Sequence, residues 1–271
     1  ITSQLPDDFW VIQEVIRGAG EPIQPEDYLE SGDVWEFAFS VDLDNAVSYG
    51  ETDYLIDSER LAEYAPSESA LSFVTNHDTE RNGKALSYLK DPLHFAFGTA
   101  LMLAHSYGTP MLYSGFAYGY YDAPPLLTDD GSVQAAECVA NPSEQLTWSD
   151  YSDGDWICQH RWNSTLGMIG FRDAVGDEPM VNQIAGYGHI GWGRGELGYI
   201  FINVDGESNY LDALQTSLPA GKYCDVLSGG PAPLKDGKCV GLEIAVDSDG
   251  IIQQEVPTNS GFAIHHLAKL G

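Results

Sequence analysis

The 271-residue chain contains 41 Asp and Glu residues but only 12 Lys and Arg residues, so its formal net charge is −29 at pH 7. Such an acidic surface repels phosphate backbones and anionic lipid headgroups, and we therefore expect no nucleic-acid partner and no membrane partner. Apolar residues make up 43% of the chain and aromatic residues 11%, which is enough for packed cores in one or two domains. The acidity fits either a solubilising surface or adaptation to high salt, and we favour salt adaptation.

The first part of the chain alternates short apolar runs with helical patterns. In chain order we predict a strand over 9–16, a short helix from Pro25, strands over 33–39 and 70–75, a helix over 91–105, a strand over 109–113 and a helix over about 156–172. Strands that alternate with helices are typical of a parallel α/β sheet or barrel. A closed (β/α)8 barrel needs eight strand–helix units, and this part supplies only about four.

The pattern changes near residue 178. Short alternating segments at 199–202, 221–227, 242–246 and 261–265 are separated by Gly, Asp and Asn turns. This pattern is typical of an antiparallel β-sandwich. We therefore predict two domains, an α/β domain over 1–177 and an all-β domain over 178–271.

Four cysteines occur as two local pairs in the sequence, and none has the C-x-x-C spacing of a zinc or redox site. Since clustered His or Cys partners for a metal are missing, two loop-closing disulfides are the preferred interpretation. Disulfides predict an oxidising, extracellular compartment. No stretch is long and apolar enough to cross a bilayer. Because the chain opens with Ile1 and no signal peptide precedes it, we expect a processed protein or part of a larger one.

Two polar sites next to apolar runs are candidates for catalytic or binding groups. Glu14 lies near the end of the first apolar run, where a buried carboxyl group would stay protonated and act as a general acid; the alternative is a strand-end Glu paired with an Arg. Asn76, His77 and Asp78 directly follow the strand over 70–75. They fit either a turn with Asx capping or a group that grips sugar hydroxyls and stabilises an oxocarbenium-like transition state.

These residues belong to segments that resemble a known family. Residues 73–83, F-V-T-N-H-D-T-E-R-N-G, resemble the fourth signature region of the α-amylase family, glycoside hydrolase family 13, and residues 11–16, V-I-Q-E-V-I, resemble its third region. The similarity continues in order through 102–108, 158–162 and 218–226 and covers essentially the whole chain. The resemblance is to actinobacterial and animal-type α-amylases.

The resemblance implies a fold and a function. The fold would be the second half of a (β/α)8 barrel followed by an antiparallel Greek-key β-sandwich. The function would be endo-hydrolysis of α-1,4-glucosidic bonds in starch and maltooligosaccharides with retention of configuration. Glu14 matches the general acid/base, Asp78 the transition-state stabiliser and His77 a ligand of the same sugar, while Asn76 belongs to the same substrate-binding motif. The resemblance also implies disulfides that pair Cys138 with Cys158 and Cys224 with Cys239.

Other features of the family have no counterpart in this sequence. The nucleophilic aspartate is expected upstream of this chain, in an N-terminal half that would be its partner. The resemblance implies Ca²⁺, with most ligands outside the chain, and we predict no metal site within it. Chloride binding is not expected, because Met111 occupies the position of a basic chloride ligand in animal enzymes and a thioether cannot hold an anion.

Two alternative functions stay open. The chain could be a non-catalytic glucan-binding fragment that retains His77 and Asp78 but lacks the nucleophile. It could also belong to a family member that transfers sugars instead of hydrolysing them. We rank a secreted α-amylase first.

Overall fold

A computed structural model describes residue 6 and residues 9–138 and 148–271. The first part has a four-stranded parallel sheet, whose strands follow each other in chain order and pair with their sequence neighbours. These strands are β1 (Ile12–Gln13), β2 (Asp33–Trp35), β3 (Ala70–Phe73) and β4 (Thr109–Met111). The predicted parallel α/β arrangement is therefore present, with β1 and β4 as the edge strands of this sheet.

Five helices accompany the parallel sheet in the described part of the chain. They are α1 (Phe37–Tyr49), α2 (Ser58–Leu61), α3 (Thr79–Asn82), α4 (Pro92–Ala104) and α5 (Asn163–Val175). Short 3₁₀ turns cover Pro25–Tyr28, Thr52–Leu55, Ser67–Ser69, Trp148–Asp150 and Gln159–Arg161. Helix α4 begins as predicted, because Pro92 occupies its first turn and Asp91 caps it by accepting a hydrogen bond from the backbone N–H of His94, at 3.0 Å.

Three predicted elements in this part have wrong boundaries. The strand predicted over 9–16 is limited to Ile12–Gln13, because the described residues around it have no strand partner beyond the short pairing with β2. The strand predicted over 33–39 ends at Trp35, because the Glu36 side chain accepts a hydrogen bond from the N–H of Ala38 and starts α1. The helix predicted over about 156–172 starts later, because Cys158 has a positive φ of 55° and Trp162 is extended. Helix α5 thus begins at Asn163.

The second part is built from antiparallel strands. Its main sheet has the order β14-β7-β6-β5, made of β5 (Met180–Gly186), β6 (His189–Arg194), β7 (Gly198–Asn203) and β14 (Ser260–His265). Three two-stranded sheets pair β8 (Leu214–Gln215) with β13 (Ile251–Ile252), β9 (Gly221–Cys224) with β12 (Glu243–Val246), and β10 (Leu234–Lys235) with β11 (Lys238–Cys239). The strand predicted over 221–227 stops at Cys224, since Asp225 caps the four-residue helix α6 (Val226–Gly229).

The main antiparallel sheet is buried on both faces. All six residues of its central strand β7 are buried, and successive side chains point to opposite faces of the sheet. Ile200 and Ile202 belong to the core that also contains α4 and α5, whereas Tyr199 and Phe201 belong to a second core inside the β part. The sheet therefore joins the two parts of the molecule through one continuous apolar layer.

Two arginines, of which Arg194 is buried and Arg172 half-buried, add polar contacts to this junction. Arg194, 2% exposed, donates hydrogen bonds to the carbonyls of Ala104 (2.8 Å), Gly176 (2.8 Å) and Glu178 (2.6 Å). Arg172 donates to the carbonyls of Leu103, His105 and Gly108. These cations satisfy carbonyl groups at the C-terminal end of α4, which also carries the negative end of the helix dipole.

Both predicted disulfides are present. Cys138 is bonded to Cys158, with their Cα atoms 5.6 Å apart, and Cys224 is bonded to Cys239, with a Cα–Cα distance of 5.1 Å. Within the described ranges, none of the helices combines the length and the apolar character needed to cross a membrane.

Candidate functional site

The candidate site lies at the carboxyl edge of the parallel sheet. In a parallel sheet all strands end at the same edge, which is where (β/α)8 enzymes place their catalytic groups. Glu14 directly follows β1, Glu36 directly follows β2, and the segment from Asn76 to Asp78 lies just beyond β3. The topology therefore places the residues predicted from the sequence at one edge, with β2 between β1 and β3.

The structure exposes Glu14. Its side chain lies in solvent beyond the edge strand β1, so the burial expected for a general acid is absent. The alternative of a strand-end Glu paired with an Arg is also not seen among the described residues, where the nearby Arg17 bonds Glu26. In the part of the chain that the structure describes, Glu14 is therefore an exposed carboxylate without an ion-pair partner.

Asn76 is a buried turn residue. Its Oδ1 atom accepts hydrogen bonds from the backbone N–H of Asp78 (3.0 Å) and of Thr79 (2.8 Å), and from the Thr79 hydroxyl (3.0 Å). The expected Asx turn is thus present. The Asn76 side chain is 1% exposed, and its Nδ2 atom has no hydrogen-bond partner in the part of the chain that the structure describes.

The turn directs the next two side chains into solvent. The side chains of His77 and Asp78 are 66% and 59% exposed, and His77 Nε2 lies 3.9 Å from Asp78 Oδ1. The polypeptide is held by the buried Asn76 and Thr79, while the imidazole and the carboxylate remain free to contact a ligand. Rigid backbone with exposed polar groups is the arrangement that a binding site needs.

Glu80 is a buried carboxylate that the sequence interpretation missed. It is 1% exposed and accepts hydrogen bonds from the hydroxyls of Tyr88 and Tyr113 (3.1 Å for Tyr113) and from Nε of Arg81 at 3.2 Å. Burial raises the pKa of Glu80, although the bonds from Tyr88, Arg81 and Tyr113 act in the opposite direction. The only sequence signal was its place two residues after Asp78.

Arg81 connects the same turn to the loop after β4. Its guanidinium lies 4.4 Å from the ring centre of Tyr118 and 5.1 Å from that of Phe116, and it donates hydrogen bonds to the carbonyls of Tyr121 and Ala123. The Tyr118 hydroxyl in turn donates to the Glu80 carbonyl at 2.8 Å. Glu80 and Arg81 therefore fix the position of the segment that presents His77 and Asp78.

Glu36 is a further carboxyl group at this edge, and its contacts are structural. Its two oxygens accept hydrogen bonds from the N–H groups of Ala38 (3.0 Å) and Ala65 (2.8 Å), and the residue is 1% exposed. Arg17 lies 4.0 Å away. With both oxygens engaged by backbone groups, Glu36 serves to start α1 and to tie it to the segment before β3.

The described residues do not form a metal centre. Across residues 9–138 and 148–271, no group of three or more His, Cys, Asp and Glu side chains is arranged to hold a metal ion. These described side chains thus do not fit the calcium that the family resemblance implies. Met111, which the resemblance aligns with a basic chloride ligand, is half-buried in β4 and has no charge to offer an anion.

Comparison with known proteins identifies relatives along nearly the whole chain. The model of the α-amylase C-terminal all-β domain matches residues 183–267. An α-amylase of Streptomyces violaceus is 35% identical over 96% of this chain and 40% of that protein, and an α-amylase of Tribolium castaneum is 35% identical over 96% of this chain and 52% of that protein.

Solved structures agree with these relatives. The α-amylase I of Eisenia fetida aligns with a TM-score of 0.80 and 28% identity, over 98% of this chain and 56% of that chain. A Glu-to-Gln mutant of the same enzyme has been solved as a maltohexaose complex. The present chain spans about half the length of the relatives it matches. Over nearly its whole length the chain resembles the C-terminal portion of an α-amylase of glycoside hydrolase family 13.

Proposed function

We propose that this chain is part of an α-amylase that hydrolyses internal α-1,4-glucosidic bonds of starch with retention of configuration. One observation supports this most directly: the parallel sheet gathers Glu14, His77 and Asp78 at one carboxyl edge, with the latter two held outward on a rigid turn. Glu14 would donate a proton to the glycosidic oxygen. Asp78 would stabilise the positive charge that develops on the sugar ring, and His77 and the Asn76 segment would hold that sugar.

The open edges of the parallel sheet support the presence of an N-terminal partner half. Strand β1 pairs on one side with β2, and β4 pairs on one side with β3, so each has a side without a strand of this sheet. Parallel sheets are normally buried on both faces and closed in barrel enzymes. The missing strands would complete a (β/α)8 barrel and bring the nucleophilic aspartate near Glu14, and the β part would be the Greek-key domain.

The same proposal covers calcium, chloride, the cellular compartment and the acidic surface. Calcium would be held by residues of the N-terminal half, since the described side chains of this chain do not fit it. Chloride would not be required, because Met111 replaces a cation. The two disulfides support secretion into an oxidising compartment, and the charge of −29 supports a salt-adapted surface that tolerates neutral glucans.

A second function is favoured by the exposure of Glu14 for the chain taken alone. A general acid must keep its proton near neutral pH, and burial is the usual means of achieving this. Without neighbours to bury it, Glu14 cannot have that environment. The isolated chain would then bind glucans through His77 and Asp78 without cutting them. If the enzyme transferred sugars instead of hydrolysing them, product analysis with maltooligosaccharides would show longer chains.

The test uses Glu14→Gln in the complete enzyme. We expect loss of most turnover on starch, by a factor of 100 or more, with maltohexaose binding nearly unchanged, because an amide cannot donate the proton. Glu30→Gln, another exposed Glu in the same part of the chain, is the matched control and should keep full activity. A Glu14→Gln enzyme that retains more than a tenth of its turnover would rule out Glu14 as the acid.

A further inference from the structure

A groove runs between the C-terminal end of α1 and the hairpin turn that connects β5 with β6. Because α1 starts at the carboxyl edge of the parallel sheet, directly after β2, its C-terminal end lies away from the candidate site. The volume of the groove is about 560 Å³. Tyr49 and Tyr187 line it, with 64% and 79% of their surfaces exposed, compared with 61% for Tyr120 and 58% for Phe9. Two large aromatic side chains left in water beside one groove call for a ligand, because such rings are normally covered.

The backbone on both sides of the groove is fixed. Tyr187 and Gly188 form the two-residue turn between β5 and β6, and the N–H of Gly188 donates to the carbonyl of Gly50 at 3.0 Å, just after α1. The Gly188 carbonyl accepts from the N–H of Val204 at 2.7 Å. A Cβ atom on Gly50 would lie 3.0 Å from Gly188 N and 3.4 Å from Cε2 of Tyr187, so the two segments touch. The tyrosines are therefore presented by a rigid frame.

The polar lining defines the ligand chemistry. Asp205 and Glu207 line the groove, and His94 lies beside them with its Nδ1 3.0 Å from Asp91 Oδ2. Carboxylates accept hydrogen bonds from hydroxyl groups, and aromatic faces pack against the C–H faces of sugar rings. The same carboxylates repel anions. A neutral, hydroxyl-rich chain satisfies all of these groups, and a groove of this size holds a short oligosaccharide.

We propose that the groove between Tyr49 and Tyr187 is a second glucan-binding site, separate from the carboxyl edge of the parallel sheet. The tyrosine rings stack on successive sugar rings, and Asp205 and Glu207 accept hydrogen bonds from the hydroxyls. The choice of an α-glucan rests on the proposed amylase function. The site joins residues of the α/β part to residues of the β part, so its ligand bridges the two.

Hydroxyl-radical footprinting of the protein with maltohexaose, read by mass spectrometry, separates the two sites. We expect concentration-dependent protection of Tyr49 and Tyr187 with one shared affinity. Tyr187→Ala should weaken that affinity at least fivefold at Tyr49, whereas Tyr187→Phe, which keeps the ring, should not. Leu211→Ala, also exposed and outside the groove, is the control for the loss of exposed apolar surface.

The outcomes distinguish this proposal from the proposed function. Protection of His77 and Tyr113 without protection of the groove overturns the second site and leaves the amylase proposal standing. Protection of the groove supports the second site, whether or not the residues at the sheet edge are also protected. Lack of protection at both places overturns the second site and counts against glucan binding altogether, and equal affinity in Tyr187→Ala overturns the stacking role.

Discussion

Strand β7 of the antiparallel sheet and strand β1 of the parallel sheet differ sharply in how far their side chains are buried. All six residues of β7 are buried, and their side chains fill two cores. Strand β1 is two residues long, neither of them fully buried, and its apolar neighbours Phe9, Trp10 and Ile16 are 53 to 59% exposed. The β part thus completes its own interior, while the β1 edge leaves apolar surface in water.

This difference indicates where the molecule is self-sufficient and where it needs a partner. A run of exposed apolar side chains on an edge strand is a surface prepared for contact, and the unpaired edge groups of β1 can accept a further strand. The proposed catalytic carboxylate Glu14 lies in this same region. We therefore expect the catalytic carboxylate at the open β1 edge, and we expect the buried β part to contribute more of the folding stability.

The largest expected effect tests this contrast in stability directly. Phe201→Ala in β7 removes a ring that lies 4.6 Å from Tyr210 and 6.2 Å from Phe262, centre to centre, in a fully buried position. We expect the free energy of unfolding to fall by about 3 to 5 kcal/mol. Ile16→Ala beside β1, at 59% exposure, should change it by less than about 0.5 kcal/mol. Chemical denaturation measures both, and similar losses in the two variants would contradict the contrast.

A second prediction concerns the junction between the two parts, where His105 is buried. Its ring contacts Phe39 and Trp192; Nε2 donates to the Leu55 carbonyl at 2.9 Å, and Nδ1 accepts from the N–H of Tyr107 at 2.9 Å. Both ring nitrogens are used by the neutral form, so a second proton on Nδ1 would face the Tyr107 N–H. Burial lowers the pKa of His105 to about 4.

The sign of the pH dependence follows from that pKa. Between pH 6.5 and about 4 the unfolded state binds the proton and the folded state does not, so the stabilisation is complete above pH 6.5 and decreases as the pH falls. The loss reaches about 3 kcal/mol at pH 4. Denaturation curves of the parent and of His105→Gln between pH 7 and pH 4 should differ in slope, and identical slopes would contradict the assignment. His265, whose pKa burial also lowers to about 4, supplies a similar dependence in both proteins.

The buried strands could be predicted from the sequence because alternation and apolar runs reflect burial. Strand β3 and helix α4 lie where expected, and so do β7, β12 and β14. Two of the errors occur at Glu36 and Asp225, each of which lies inside an apolar run. In both cases a carboxylate accepts backbone N–H groups and ends the strand by starting a helix. Periodicity does not detect such caps, because they depend on which side chain bends back on the backbone.

The site could be predicted in its position but not in its environment. The motif containing Asn76, His77 and Asp78 directed attention to the end of β3, and the Asx turn was among the expected interpretations. Exposure of Glu14 depends on what packs over β1, which is a long-range property. The cluster around Glu80 brings together distant residues, such as Tyr113, 33 positions away, and Tyr118, 38 positions away. Sequence spacing gave no sign of those contacts.

The smallest expected effect concerns the turn that presents the proposed substrate ligands in the less complete part. Asn76→Ala removes the acceptor of the Asp78 and Thr79 N–H groups, and we expect a loss of about 1 kcal/mol in the free energy of unfolding. Asn163→Ala, an exposed Asn at the first residue of α5, is the matched control and should stay within about 0.5 kcal/mol.

A second substitution at Asn76 distinguishes a residue that only supports the turn from one that contacts a ligand directly. If Asn76 only shapes the turn, Asn76→Ser, which keeps a capping oxygen, should recover both stability and maltohexaose binding at the sheet edge. If stability recovers but binding does not, the buried and unpartnered Nδ2 of Asn76 contributes to the site itself. If Asn76→Ala leaves the free energy of unfolding unchanged, Thr79 and the contacts of Glu80 and Arg81 suffice to hold His77 and Asp78. The rigidity of this edge would then come from the buried cluster around Glu80.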